Sequence, residues 1–272
     1  MDILTYSFMQ RAFIAGIIVA LMCPVIGMFI VIRRQSLLGD GLGHIAFAGV
    51  TGASLLGFYP PLGAAFLTVL TAIGIEFIRR RQSQYTDMIL ALFFYTGLAL
   101  AVIFSTLSKM PSVGLLNFLF GSILTVTVRD IITIAIVAVI VAIIVRIVYA
   151  KLLLTSFDES VAVTAGINVK RINMVFAVLT ALVVVMGMTV VGILLISALM
   201  IVPVAAAHLW GRGFKGTFLI AELYSLLGVI GGLVIAFFMD MPPGGTVVLV
   251  TVITYAITFA IAAWRNPGGN RR

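Results

Sequence analysis

Charged residues are scarce in this sequence: they make up 10% of its 272 residues, while 62% are hydrophobic. A soluble domain of this length needs far more polar surface to cover its core. The strict alternation of apolar and polar residues that marks outer-membrane strands is also absent. Since only helices and closed barrels satisfy their backbone hydrogen bonds in lipid, the long apolar runs predict an all-α polytopic membrane protein.

Sequence motifs for catalysis are missing as well. No GxxxxGK(S/T) loop is present to cradle phosphates, so this chain by itself cannot hydrolyse ATP. Neither HExxH nor GxSxG occurs, and the single cysteine, Cys23, excludes a disulfide framework. We therefore predict no catalytic residues, no bound cofactor and no enzymatic activity in this chain.

Basic residues outnumber acidic residues, 17 to 9, and give a formal net charge of +8. They stand in small groups between the apolar runs, which is the pattern that keeps Lys and Arg on the cytoplasmic side of a membrane. This placement argues against a nucleic-acid partner and predicts that the lipid bilayer surrounds the chain.

About nine apolar segments are long enough for transmembrane helices, with a range of eight to ten. Breaks rich in Pro and Gly separate them. The segments are Phe13–Ile32, Leu42–Gly57, Leu62–Ile78, Met88–Leu107, Ile131–Ala150, Ile172–Val190, Gly192–Trp210, Thr217–Met239 and Thr246–Trp264. A further apolar stretch, Ser112–Val128, is interrupted by Gly and Asn and is predicted to be interfacial or re-entrant. Residues 1–272 are treated as a single transmembrane domain.

The basic residues also predict the orientation of these segments. If Arg33 and Arg34 are cytoplasmic, the alternation of nine spans puts all other basic residues on the same side except Arg11, Lys109 and Arg129. The N-terminus is then outside the cell and the C-terminus inside.

The longest polar connection, Thr155–Lys170, is cytoplasmic in this topology. Ser156 can cap a helix, with Glu159 three residues later as in a capping box, and Gly166 can end it. We predict a cytoplasmic surface helix of about ten residues within positions 155–168.

Asp40 and His44 are the strongest candidates for chemistry inside the membrane. An ionisable group within a span costs about 2.5–3.5 kcal/mol on insertion scales, so such groups are functional candidates. Four residues apart on a helix, the two share one face and can approach a single ion. A carboxylate with an imidazole suits Zn²⁺ or Mn²⁺, and a two-fold dimer would supply four ligands. The alternative, a hydrogen-bonded structural pair, stays open at this point.

Three other ionisable residues have simpler interpretations. His208 is predicted near the cytoplasmic end of the seventh span, as an interfacial side chain or, alternatively, as a minor contact on the metal exit path. Glu76 and Glu222 lie within one or two turns of basic residues, and snorkelling ion pairs explain both.

Four stretches resemble the membrane subunits of the zinc/manganese/iron family of ATP-binding-cassette importers, and the likeness runs essentially end to end. VIRRQSLLGDGLGHIAFAGV resembles the family signature around the first cytoplasmic turn and the second span. LLLTSFDESVAVTAGINV resembles the coupling segment, LNFLFGSIL the outer segment and VVGILLISALMIVPVAAA the seventh span. YSFMQRAF and RRQS look closest to the zinc-importing members.

The resemblance implies a homodimeric permease with a helical bundle like that of the vitamin B12 importers. It also implies two cytoplasmic ATPase subunits, which hold ATP and Mg²⁺, and an extracellular metal-binding receptor, usually a lipoprotein. The complex would lie in the plasma membrane of a bacterium. Its transported ion would be Zn²⁺ first and Mn²⁺ second, with iron as a further alternative.

The resemblance also implies roles for particular residues. Asp40 and His44 would line the ion path and contact the metal. The cytoplasmic helix would dock into a cleft on the ATPase, and its contacts would be Phe157, Asp158, Glu159, Ala165 and Gly166.

Two other classes of protein are alternatives to such a permease. A secondary metal transporter that works without ATP needs ionisable groups at the membrane midplane, and the sequence offers only Asp40 and His44 there. A non-transporting scaffold would not need a polar pair on one helical face.

Overall fold

The computed structural model describes residues 3–108, 112–122 and 125–265. Lys109, the end of the LNFLFGSIL stretch and the basic tail with Arg271 and Arg272 lie outside these ranges. Within them every regular element is helical, with two short 3-10 turns at Ile3–Thr5 and Ser83–Tyr85. The α-helices are α1 (Ser7–Ile32), α2 (Leu37–Leu55), α3 (Pro60–Arg79), α4 (Thr86–Ser108), α5 (Ser112–Phe120), α6 (Val128–Phe157), α7 (Glu159–Thr164), α8 (Val169–Met188), α9 (Ile193–His208), α10 (Phe214–Met239) and α11 (Pro243–Arg265).

Each predicted apolar segment falls on one of the longer helices, α1–α4, α6 and α8–α11. Among the described residues, 7 helices are long and apolar enough to cross a membrane. Two of the nine helices that carry predicted segments are not among these 7. They are α9, whose apolar part is shorter, and α2, which carries Asp40, His44 and repeated glycines. The all-helical membrane architecture is confirmed, whereas the number of nine spans and their orientation stay predictions.

Helix α2 lies in the middle of the bundle. It packs against α3, α4, α8 and α9, while α1 packs against α6, α8, α9 and α10. Most residues of α1, α2 and α8 are buried, whereas α6 buries few of its residues. The polar pair on α2 is therefore carried by an interior helix.

Glycines allow α2 and α3 to approach each other closely. A Cβ built on Gly49 would lie 2.6 Å from the Gly63 carbonyl oxygen and 2.7 Å from Ala64 Cα. Small residues are typical of such crossings, because burial of apolar surface gives little driving force between helices in lipid. The crossing of α2 and α3 thus depends on the absence of a side chain at Gly49.

Several of the basic groups predicted to be cytoplasmic meet at one end of the bundle. Arg79 Nη2 lies 3.7 Å from Glu159 Oε1, and Arg80 donates a hydrogen bond to the carbonyl oxygen of Lys170. The end of α3, the start of α7 and the start of α8 therefore lie on the same side, as the alternation of spans requires.

The helix predicted within positions 155–168 is shorter than expected and begins elsewhere. Helix α6 runs on past Ser156, whose hydroxyl donates to the backbone of its own helix, so the predicted capping box of Ser156 and Glu159 is wrong. Helix α7 has 6 residues and is capped by the Asp158 side chain. Gly166, at φ +76°, follows the helix and ends the turn, as predicted.

The stretch Ser112–Val128 is a break between two long helices. Helix α5 has 9 residues, which is too short to cross a bilayer. Helix α6 then begins with a capping box, in which the side chains of Thr127 and Asp130 each accept from the other residue's backbone N–H. A short segment here agrees with the prediction that this stretch is not a full span.

We expect Gly49→Ala to destabilise the bundle and Gly74→Ala to be tolerated. The new methyl group at position 49 meets backbone, which costs about 1–3 kcal/mol when packed helices must shift. At Gly74 the nearest atom to a built Cβ is Phe93 Cζ at 4.0 Å, and alanine there gains about 1 kcal/mol of helix propensity. Thermal unfolding of the purified variants in detergent checks this, and equal melting temperatures would contradict it.

Candidate metal pathway and coupling segment

Helix α9 lies against the face of α2 that carries Gly39 and Gly43. A Cβ on Gly39 would be 2.9 Å from Ser197 Cβ, and one on Gly43 would be 3.2 Å from the Ile193 carbonyl oxygen. These glycines are one helical turn apart, so together they form a groove without side chains. Helix α9 therefore approaches α2 closely at these two positions.

Asp40 is half-buried and bonded to α9. Its Oδ1 accepts a hydrogen bond from Ser197 Oγ, and Ser197 is itself buried. Sequence reasoning missed Ser197. The available signal was a single hydroxyl within the apolar run ILLISALMIVP, where a buried polar group needs a partner.

His44 lies one turn further along α2 and faces α4. Its ring packs edge-on against Phe94, with ring centroids 4.6 Å apart and an interplanar angle of 79°. Gly97 permits this contact, because a Cβ there would lie 2.8 Å from the Ile45 backbone nitrogen. The Nδ1 atom of His44 is buried and has no hydrogen-bond partner among the described residues. A neutral imidazole has one nitrogen with a free lone pair, which can bind a metal ion.

Asp40 and His44 therefore contact different helices, α9 and α4 respectively. Asp40 bonds to Ser197 and His44 packs on Phe94, and no hydrogen bond joins the two within the described ranges. The alternative of a hydrogen-bonded structural pair does not agree with this geometry. The part of the chain that the structure describes contains no group of three or more His, Cys, Asp or Glu that could hold a metal, so one copy supplies two candidate ligands.

His208 is the last residue of α9 and is exposed. It lines a cavity of about 460 Å³ between the ends of α1, α6, α9 and α10, together with Phe157 and Arg212. With a rise of about 1.5 Å per residue, His208 lies about 16 Å along α9 from Ser197. The structure therefore does not bring His208 together with Asp40 and His44.

The two glutamates predicted to form ion pairs differ. Glu76 is buried and pairs with Arg79 at 2.9 Å and with Arg80 at 3.4 Å, so this prediction is confirmed. Glu222 has a buried Oε2 without a hydrogen-bond partner and no ion pair among the described residues, so the prediction for Glu222 is wrong. Proximity in sequence did not place a basic side chain against it in α10.

Asp158 fixes the start of α7. Its Oδ1 accepts hydrogen bonds from the hydroxyl of Ser160 at 2.6 Å and from the backbone N–H groups of Ser160 at 2.8 Å and Val161 at 3.1 Å. The Ser160 hydroxyl bond above all, and then the two backbone bonds, lower the pKa of Asp158 below its ordinary value. Because the folded pKa is lowered, the cap contributes stability above the unfolded pKa near 3.8 and loses it only as pH falls through the folded pKa.

Exposed apolar residues lie around α7, beside the exposed polar residues Asp158, Glu159, Ser160 and Thr164. Phe157 is 65% exposed, Val161 47% and Val163 61%, while Ala165 and Gly166 are also exposed. Phe157 is the last residue of α6 and the other four follow it, at the same end of the bundle as the basic groups described above. Apolar side chains grouped outside the membrane helices are typical of a protein–protein interaction surface. We call these five residues the α7 surface.

Comparison with known proteins places the whole chain in one family. A model of the ABC 3 transport family matches residues 5–262. The "Probable metal transport system membrane protein" of Treponema pallidum is 35% identical over 95% of this chain and 97% of that protein. The "Manganese transport system membrane protein MntC" of Listeria monocytogenes is 32% identical over 96% and 92%. The "High-affinity zinc uptake system membrane protein ZnuB" of Haemophilus influenzae is 30% identical over 93% and 97%.

A solved structure shows the same fold. A chain of "PsaBC from Streptococcus pneumoniae in complex with Fab" superposes with a TM-score of 0.84 at 30% sequence identity, covering 94% of this chain and 92% of that chain. The long apolar helices and these relatives make the molecule a multi-pass protein of the bacterial plasma membrane. This chain therefore belongs to the ABC 3 transport family, the membrane permeases of metal-importing ABC systems.

Proposed function

We propose that this chain, as a homodimer, forms the membrane pathway of an ATP-driven importer of zinc or manganese. The observation that carries the proposal is the placement of Asp40 and His44 on an interior helix, with a buried Nδ1 atom on His44 that has no hydrogen-bond partner in the described part of the chain. An oxygen and a nitrogen ligand on one face suit a divalent transition metal. Two copies that meet at this helix would complete a four-ligand site.

The ion would be held only transiently on this path. A closed site of high affinity would trap the metal, whereas conduction requires binding weak enough for release. Ser197 would hold the Asp40 carboxylate in position through Oδ1, which leaves Oδ2 to contact the passing ion. His208, far along α9, would be an interfacial residue of the exit cavity and not a ligand of the central site.

The α7 surface is the proposed contact with a cytoplasmic ATPase subunit. Its exposed apolar side chains favour a protein partner over solvent, and the cap at Asp158 gives the segment a fixed shape. The chain is then the non-enzymatic part of a complex, and ATP with Mg²⁺ belongs to the partner. An extracellular metal-binding receptor would deliver the ion to the opposite face.

The identity of the ion follows from neither the ligands nor the relatives. Asp and His serve zinc and manganese alike, and the manganese and zinc relatives are similarly identical to this chain, at 32% and 30%. Zinc is our first expectation because of the YSFMQRAF and RRQS stretches, and manganese the second.

Cellular metal content tests the proposal directly. Cells that lack this gene, grown under mild chelation, should show a zinc deficit that wild type and His208→Ala restore. His44→Ala and Asp40→Ala should fail to restore it, because loss of a contact at a metal site lowers affinity by about tenfold or more. Mass spectrometry of washed cells measures the outcome. A manganese deficit would change the ion, and full restoration by both Asp40→Ala and His44→Ala would refute the pathway.

Ser197→Ala should raise the KM for metal uptake. Removal of the hydroxyl leaves the Asp40 carboxylate without its fixed donor, and a hydrogen bond to a charged group contributes about 1.5–3 kcal/mol, or roughly tenfold or more in affinity. Ser225→Ala is the matched control, because its buried hydroxyl bonds to the Ala20 carbonyl oxygen, away from the site. Equal KM values for the two variants in vesicle uptake assays would contradict a role for Ser197 at Asp40.

Asp158→Ala should loosen the first turn of α7 and weaken binding of the ATPase subunit. Asp158→Asn should keep the first turn ordered and should bind the ATPase subunit as the wild type does. Asparagine accepts the same backbone hydrogen bonds at a helix start, and alanine accepts none. Hydrogen exchange at the amides of Ser160 and Val161, with pull-down of the ATPase, measures the two effects. If Asp158→Asn loses binding as severely as Asp158→Ala while exchange stays slow, the charge and not the cap makes the contact.

A further inference from the structure

A chain of polar contacts joins α7 to the end of α1. Glu159, the first residue of α7, accepts a hydrogen bond from Asn173 Nδ2 at 3.0 Å. Asn173 Oδ1 accepts from Arg33 Nη1 at 2.8 Å, and Arg33 directly follows α1. Three side chains therefore connect α7, α8 and α1. The sequence predicts Glu159 as a capping-box residue and as a contact to the ATPase, and indicates no connection to α1.

Arg33 is fixed from three directions. Besides its bond to Asn173, its Nε donates to Ser156 Oγ of α6 at 2.8 Å, and its guanidinium lies 4.4 Å from the ring centroid of Phe176 on α8. Burial lowers the pKa of Arg33 to about 10, so it stays charged at physiological pH. A planar guanidinium bonded and stacked in this way cannot move independently of its neighbours.

The chain of contacts ends at the turn that begins α2. Only residues 34–36 separate Arg33 from Leu37, where α2 starts. Arg34 takes a left-handed conformation with φ +55°, which is uncommon for a residue other than glycine, and Gln35 is buried. Because the turn is only three residues long, a displacement of Arg33 would be passed to the first turn of α2, which contains Asp40.

The contacts extend in the other direction as well. Glu159 lies 3.7 Å from Arg79 Nη2 of α3, and Arg79 pairs with the buried Glu76. The start of α7 is thus tied to two other helices, to α8 through Asn173 and to α3 through Arg79. Movement of α7 relative to the bundle must either carry these contacts along or break them.

We propose that Glu159, Asn173 and Arg33 form the link through which movement of α7 repositions the start of α2, and with it Asp40. The three are positioning residues: none touches the metal or the nucleotide. The inference rests on the proposed function, since it assumes that an ATPase moves α7. It predicts that the link determines how many ions are imported for each ATP hydrolysed, which is a coupling between two separate sites.

The test uses the permease reconstituted in liposomes with its ATPase subunits and its receptor. Zinc and manganese are offered separately, and ion uptake and ATP hydrolysis are measured on the same vesicles. Asn173→Ala is the main variant, because Asn173 is only 4% exposed and cannot contact a partner subunit. We expect ions imported per ATP to fall by about fivefold or more, while the rate of ATP hydrolysis stays within about twofold.

Matched variants separate the link from general damage. Arg171→Ala changes an exposed side chain on the same helix and should keep the wild-type ratio. Glu159→Gln keeps the oxygen that accepts from Asn173 and should also keep the ratio, whereas Glu159→Ala should lower it. If Asn173→Ala does not assemble with the ATPase, the comparison of Glu159→Gln with Glu159→Ala decides.

Two results would overturn the link. One is a wild-type ratio of ions to ATP in Asn173→Ala and Glu159→Ala. The other is a fall of uptake and hydrolysis in equal proportion, which indicates a purely structural role. Failure of the proposed function is a distinct result: the wild-type complex would then import neither zinc nor manganese on addition of ATP.

Discussion

Asp40 and His44 can lie within the bundle only because neighbouring helices shield them from lipid. Ionisable groups that face hydrocarbon are costly, and α2 carries both Asp40 and His44. Gly39 and Gly43 allow α9 to cover one side of α2, and Gly97 allows α4 to cover another. The packing of both helices around α2 follows from this requirement, and so does the interior position of the polar pair.

The enclosure has a chemical consequence. A buried polar atom normally has a hydrogen-bond partner, and a bound ion is one explanation for a buried atom that has none. Asp40 has Ser197 as its partner, while the buried nitrogen of His44 has none among the described residues. In the proposed pathway that nitrogen would contact the ion, and the contact must be weak enough for the ion to be released.

The two ends of the proposed mechanism lie on different elements and are joined by partly buried polar contacts. The α7 surface is exposed and apolar, whereas the residues behind it, Arg33 and Asn173, are packed among α1, α6 and α8. Helices packed in this manner move as units, since interiors are dense and not continuously deformable. A displacement at α7 is therefore expected at the α1–α2 turn and not only locally.

Local structure could be predicted from the sequence where a single interaction determines it. The apolar segments fell on helices because about twenty apolar residues are stable in a bilayer only as a helix. The capping prediction at Ser156 failed because a serine hydroxyl can bond within its own helix as readily as it can cap the next one. Here Arg33, distant in sequence, binds that hydroxyl and holds Ser156 inside α6. The prediction of an ion pair for Glu222 was wrong for a related reason, since spacing along a helix does not give the direction in which a basic side chain points.

The sequence by itself determined that the chain is a helical membrane protein, where its apolar helices lie, and which helix carries an aspartate and a histidine on one face. These properties depend on composition and on the 3.6-residue period, which are local. Only the tertiary structure decided that Asp40 bonds to Ser197, 157 residues away, that His44 packs on Phe94, and that Arg33 connects to α7 through Asn173. Such contacts depend on how separate helices pack, and residue order alone does not specify that.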